Sequence, residues 1–188
     1  FEPAWLDKSD ADGVTLRNNI VTDNVAGARE GVQHLISHGH RRIGYIGDLR
    51  TISTARERLE GYQAALAAAG IAVDTSIVMQ DQRTSDDAEA AVAELLSRPD
   101  APTAIFTAQN LVTIGALRAL RRAGLHRTVA VVGFDELPVV DLIDPGPTLV
   151  VQDVVGLGGK AAELLFQRVL GLDAPPQHVV LPATLVVR

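Results

Sequence analysis

Short apolar runs alternate along this chain with stretches whose apolar residues recur every three to four positions. The first pattern belongs to buried strands and the second to amphipathic helices. Strands are predicted at Asn19–Thr22, Arg42–Gly47, Ile77–Met79, Thr103–Thr107, Val129–Gly133, Leu149–Val151, Val179–Leu181 and Leu185–Val187. Helices are predicted between them. One starts behind Asp23 as cap and runs to about His38. A second opens at Ser53 or Thr54, reaches Ala69 and is ended by Gly70. A third is capped by Ser85 and ends at Leu96. The last two cover Leu111–Ala123, stopped by Gly124, and Val154–Leu170. The stretch from Pro138 to Pro147 reads as loop with one helical turn. Strands alternating with helices define an α/β class with parallel sheets.

That class fixes where chemistry belongs, because ligands of open parallel sheets sit outside the carboxyl ends of the strands. Those ends carry Asp48 and Thr51, then Asp81, then Gln109 and Asn110, then Asp135. Carboxylates and amides gathered on one rim suit a hydroxyl-rich ligand. Arg58 joins them from the Ser53–Ala69 helix, where it lies inside the apolar arc formed by Ala55, Leu59, Tyr62, Ala65, Leu66 and Ala69. A guanidinium on a core-facing stripe needs an acceptor. A ligand group and a structural ion pair both meet that need.

Composition narrows the classes. The 188 residues carry 47% hydrophobic positions, enough for a packed core of one or two domains, and no run is long and apolar enough to span a membrane. Cysteine is absent, which excludes disulfides and thiolate metal sites and fits a cytoplasmic location. The net charge of −6, with arginines scattered among acids, argues against nucleic-acid binding by this stretch alone. Trp5 reads as core or pocket wall.

Two motifs invite other readings. Gly156-Leu157-Gly158-Gly159-Lys160-Ala161 has the form of a dinucleotide fingerprint, but the following strand, Val179-Val180-Leu181-Pro182, lacks the acidic residue that would bind a ribose. Without it, the glycines read as a loosely started helix packed closely on its sheet. His34 and His38 stand one helical turn apart beside His40, a spacing that can bind metal, yet only Glu30 offers a further ligand. No metal and no cofactor are expected, and no nucleophile–base motif points to an enzyme.

Several blocks, in order, resemble the lactose- and purine-repressor type of transcription regulator. They are Asp23-Asn24-Val25-Ala26-Gly27, His34-Leu35-Ile36, Gly39-His40-Arg41-Arg42-Ile43-Gly44 and Ser53 through Tyr62. Pro102-Thr103-Ala104-Ile105-Phe106, Ile114-Gly115-Ala116-Leu117, Val131 through Glu136, and Leu181 through Arg188 continue the match. The resemblance implies a periplasmic-binding-protein-like fold of type I, with two Rossmann-like parallel-sheet lobes and the effector in the cleft. Residues 1–41 and 153–181 would form the N-terminal lobe, incomplete in this chain, and 42–152 with 182–188 the C-terminal lobe.

The resemblance also implies a homodimer, a small sugar or nucleoside-like effector, and operator DNA bound only through a helix-turn-helix head upstream of Phe1. By the same analogy Arg58 grips the effector, Asp135 accepts from its hydroxyls or ring nitrogens, Gln152 and Asp153 are the polar pair at a crossover, and Asp81 contributes from the cleft. Gln109-Asn110 departs from the Asn-Asp usual in such proteins, which replaces one carboxylate by an amide. Val112-Thr113 departs from Met-Ala, and Pro145-Gly146-Pro147-Thr148-Leu149 from Pro-Pro-Leu-Thr-Thr. A secreted or periplasmic sugar-binding protein of the same fold is the alternative reading.

Overall fold

A computed structural model describes residues 18–138, 140–171 and 175–188; Trp5 lies outside them. The chain divides into two compact units. Of the described residues, the first takes those up to Asp23 and those between Asp153 and Pro182, and the second takes those of Asn24–Gln152 with Ala183–Arg188.

In the first unit, strand β1 (Asn19–Thr22) pairs in parallel with β7 (His178–Leu181), and α5 (Val154–Val169) accompanies them. Asp153 caps α5 by accepting from the Gly156 backbone N–H at 2.7 Å. The three glycines of the fingerprint-like motif therefore lie inside the helix and not in a loop before it. Among the described residues, a Cβ at Gly158 or Gly159 would meet nothing within 4 Å. Leu164 is the buried residue of α5, while Val155, Phe166 and Val169 are exposed.

The second unit holds a six-stranded sheet in the order β3-β2-β4-β5-β6-β8. Its strands are β2 (Ile43–Ile46), β3 (Val78–Met79), β4 (Ala104–Thr107), β5 (Ala130–Phe134), β6 (Thr148–Gln152) and β8 (Ala183–Val186). All neighbours are parallel except β6 and β8. Every residue of β2 and β4 is buried, as a parallel sheet covered on both faces requires. Alternate side chains divide between two cores. Tyr45, Phe106, Val132 and Phe134 pack under α1 (Asn24–Ser37) and α2 (Ser53–Ala68). Ile46 and Ile105 pack under α3 (Ser85–Leu96) and α4 (Asn110–Arg122). The loop after β5 holds a single 3-10 turn, Val140–Leu142, among the described residues.

The unit boundary falls between Asp23 and Asn24, whereas the sequence reading set the lobe division at residue 41. Helix α1 explains the difference. Its Gly27 and Gly31 bring the helix so close to the large sheet that a Cβ on either would touch Val150, and also Phe134 or Phe106. Residues 24–37 are thereby part of the larger core.

The cap of α3 is Thr84, one residue before the Ser85 expected from sequence. Thr84 Oγ1 accepts from Asp87 N at 3.1 Å and Asp87 Oδ2 accepts from Thr84 N at 3.1 Å, a reciprocal capping box. Thr84→Ala should lower stability by about 1 kcal/mol. Urea unfolding followed by circular dichroism measures it as a shifted midpoint with an unchanged slope.

Candidate functional site

The order β3-β2-β4 reverses the direction of winding, which opens a crevice at the carboxyl ends of β2 and β4. Helix α2 begins on this side of the sheet, and Arg58 lies a little over one turn into it, with its side chain only 7% exposed. Each part of its guanidinium is placed by a different element. Nε donates to Asn24 Oδ1 on α1 at 2.8 Å. Nη1 donates to the Ala108 carbonyl, just beyond β4, at 2.7 Å, and to Asp135 Oδ2, just beyond β5, at 3.3 Å. The flat face stacks on Phe134, with Cζ 3.9 Å from the ring centroid. A desolvated contact of this kind contributes about 2 kcal/mol. Among the described residues nothing accepts from Nη2, so that nitrogen keeps its donors for another group. Burial pulls the pKa of Arg58 below its ordinary value while the Asp135 carboxylate works against that fall, and the guanidinium stays charged.

Asp135 is the second fixed point. Its φ of 75° lies in the left-handed region, where Asp is tolerated better than bulky residues. Its backbone N–H donates to the Val150 carbonyl at 2.9 Å, which fixes the turn at the end of β5. One carboxylate oxygen accepts from Arg58 and the other from Gln152 Nε2 at the end of β6. A carboxylate accepts about four hydrogen bonds, and the side chain is 20% exposed. Acceptor capacity therefore remains on the side that solvent reaches. Asn24 in turn donates from Nδ2 to Glu57 Oε2 at 2.8 Å, so the row Glu57–Asn24–Arg58–Asp135–Gln152 ties α1 and α2 to the ends of β5 and β6.

The other sequence candidates are placed differently. Gln109 follows Ala108 directly and caps α4, its Oε1 accepting from Val112 N at 3.2 Å. Asn110 Oδ1 accepts from Leu111 N at 2.7 Å. Both lie at the rim with one oxygen engaged locally. Asp81 lies off the outer edge strand β3 and is held by Arg50, which donates to its carboxylate from the backbone N–H and Nε. Those bonds hold the Asp81 carboxyl below the usual carboxylate range. Asp81 is thus not joined to the Arg58–Asp135 pair. Asn24 was missed by sequence reasoning. The signal was available, since a buried amide directly behind Asp23 at a helix start needs polar partners on both its O and N. Among the described residues no cluster of three or more His, Asp or Glu side chains forms a metal site, and no helix is long and apolar enough to cross a membrane.

The second unit is thus a mainly parallel α/β sheet that carries a buried Arg–Asp pair beyond the carboxyl ends of its strands. The chain belongs to the periplasmic binding protein-like domain family, whose model matches residues 32–188, and its relatives are LacI-family transcription regulators. It is 39% identical over 168 residues to the HTH-type transcriptional regulator CelR of Thermobifida fusca, covering 88% of this chain and 49% of that protein. A solved complex of the regulator CelR with cellobiose superposes with a TM-score of 0.85 at 37% identity, covering 95% of this chain and 55% of the other. A LacI-family regulatory protein from Chloroflexus aggregans gives a TM-score of 0.84 at 32% identity, covering 96% and 65%. The chain spans about half the length of the curated relatives it matches.

Proposed function

We propose that this chain is the effector-sensing part of a cytoplasmic transcription regulator and binds a small hydroxyl-rich molecule, a sugar or nucleoside-like effector. The observation that carries the reading is the Arg58–Asp135 pair, prefixed by Asn24, the Ala108 carbonyl and Gln152, with Nη2 still open. A guanidinium donor beside a carboxylate acceptor engages vicinal hydroxyls from both sides. Gln109 and Asn110 add neutral groups from the start of α4, and Asp81 bounds the rim at its outer edge. The cellobiose complex of CelR supports a saccharide as the first ligand to test. The two units correspond in this reading to the lobes of such regulators, the protein acts as a homodimer, and a helix-turn-helix head outside this stretch reads the operator. No catalysis is assigned to the domain.

Calorimetry of the full-length protein against mono- and disaccharides and nucleosides tests the proposal. One class should bind saturably, and no binding across the panel would overturn the reading. Asn110→Asp should change preference between the best two ligands by about tenfold, close to the discrimination of one contact. Stability should move by no more than about 0.5 kcal/mol, because the new carboxylate sits favourably at a helix N-terminus. The same calorimetry and a melting curve read both effects. The isolated chain should give no sequence-specific shift of operator DNA in a gel, in keeping with its net charge of −6.

A further inference from the structure

At the opposite pole of the six-stranded sheet, where the parallel strands begin, lies a second pocket of about 460 Å³. That volume falls within the range of small-molecule sites. Its floor is aliphatic, with Leu35, Leu117 and Leu120. Its walls carry His34, His38, His40, His126, Arg127 and Arg188. Among the described residues no Asp or Glu lines it, in a chain where acids outnumber Lys and Arg by 23 to 17. Three described acids stand outside the lining: Asp144 pairs with Arg127, Glu136 pairs with Arg188, and Glu30 lies one turn before His34 on α1.

The histidines are arranged for more than solvation. The rings of His34 and His38 lie 4.4 Å apart, and His38 Nδ1 donates to the His34 carbonyl at 2.8 Å. His40 Nδ1 is 3.0 Å from Thr103 Oγ1. Among the described residues, His126 Nδ1 is buried with no hydrogen-bond partner. Arg127 and Arg188 each already meet one carboxylate, so protonating these neighbours adds positive charge that those two acids do not balance, and a bound anion relieves it.

We propose that this pocket is a second binding site, for a small dianion such as a phosphate monoester or a dicarboxylate, which binds together with protons taken up by the histidines. Burial, and secondarily His38, hold His34 and His40 below the usual histidine pKa. A dianion between the rings raises those pKa values. By linkage its affinity then increases as pH falls.

The site lies apart from the Arg58 rim, so its test is independent of the effector reading. The full-length protein is titrated with sulfate, which keeps its double charge across the range, at ionic strength fixed with sodium chloride. Imidazole proton and carbon resonances are followed by NMR. Saturable shifts of His34, His38 and His126 are expected, with affinity about tenfold tighter at about pH 6 than at about pH 8, the effect of one proton taken up over about one pKa unit. The double variant His34→Asn with Arg127→Gln should weaken sulfate at least about tenfold and leave effector binding at the Arg58 rim intact. Linear shifts without saturation, no dependence on pH, or equal affinity in the double variant would each overturn the proposal.

Discussion

Arg58→Ala is expected to lose effector binding by about 2–5 kcal/mol, on the order of thirtyfold to several thousandfold in Kd. The substitution removes the open Nη2 donors and also strips Asp135 of its cation, leaving that carboxylate with Gln152. Asn24 Oδ1 and the Ala108 carbonyl lose their donor as well. Breaking a buried pair by removing one partner costs about 3–5 kcal/mol of stability. The lower end applies here, because solvent reaches Asp135 and can partly replace the lost donor. Arg58→Lys separates binding from folding. It keeps the charge, but a single ammonium cannot reach three acceptors in the fixed directions of the guanidinium fork. The lysine variant should fold and still bind at least about tenfold more weakly. Calorimetry with the best ligand, beside urea unfolding of both variants, reads the two effects. If both variants fold and bind like the parent protein, Arg58 is a structural ion-pair partner and the effector lies elsewhere.

The largest purely structural effects are expected at two glycines where helices meet. A Cβ on Gly61 of α2 would stand 2.4 Å from the Val25 carbonyl oxygen and 3.0 Å from Arg29 N, both backbone atoms of α1. On Gly115 of α4 it would stand 2.2 Å from the Ser85 carbonyl oxygen and 2.8 Å from Glu89 N on α3. Backbone cannot rotate away as a side-chain tip can, so each helix pair must separate. Overpacking of this kind costs about 3 kcal/mol, offset by about 1 kcal/mol from alanine's better helix propensity. Gly61→Ala and Gly115→Ala should therefore each lose about 2 kcal/mol. Gly61→Ala should also weaken effector binding, since it moves α1 and α2 apart and Asn24 with them. Gly115→Ala, on the opposite face of the sheet, should spare binding. Thermal melts with and without ligand distinguish the two, and a Gly61→Ala protein as stable as its parent would refute the packing argument.

Much of the fold was legible because its signals are local. Continuous apolar runs bounded by turn residues gave the strands, since a parallel strand buried on both faces admits almost no polar residue. Gly70 and Gly124, at φ of 66° and 71°, stopped their helices where expected, because the left-handed C-terminal position excludes most other residues. Arg58 was visible as a charge on an apolar helical arc, and Asp135 as an acid at a strand end.

What the sequence did not determine depends on which strands become neighbours. Only the order β3-β2-β4-β5-β6 brings the end of β4 and the end of β5 to the same guanidinium. Partner choice was equally invisible. Asp81 and Asp135 are both acids beyond strand ends, and both have positive φ, yet the edge position of β3 gives Asp81 to Arg50 while the inner position of β5 gives Asp135 to Arg58. Gln109 looked like a free rim amide and is half used as a helix cap. Helix α1 was assigned to the other lobe because the chain order places it there, whereas the space its glycines leave against Val150 places it on the large sheet. Local patterns set each element's type and its buried face. Long-range packing decides which polar group meets which, because pairing energies arise only once distant segments are side by side.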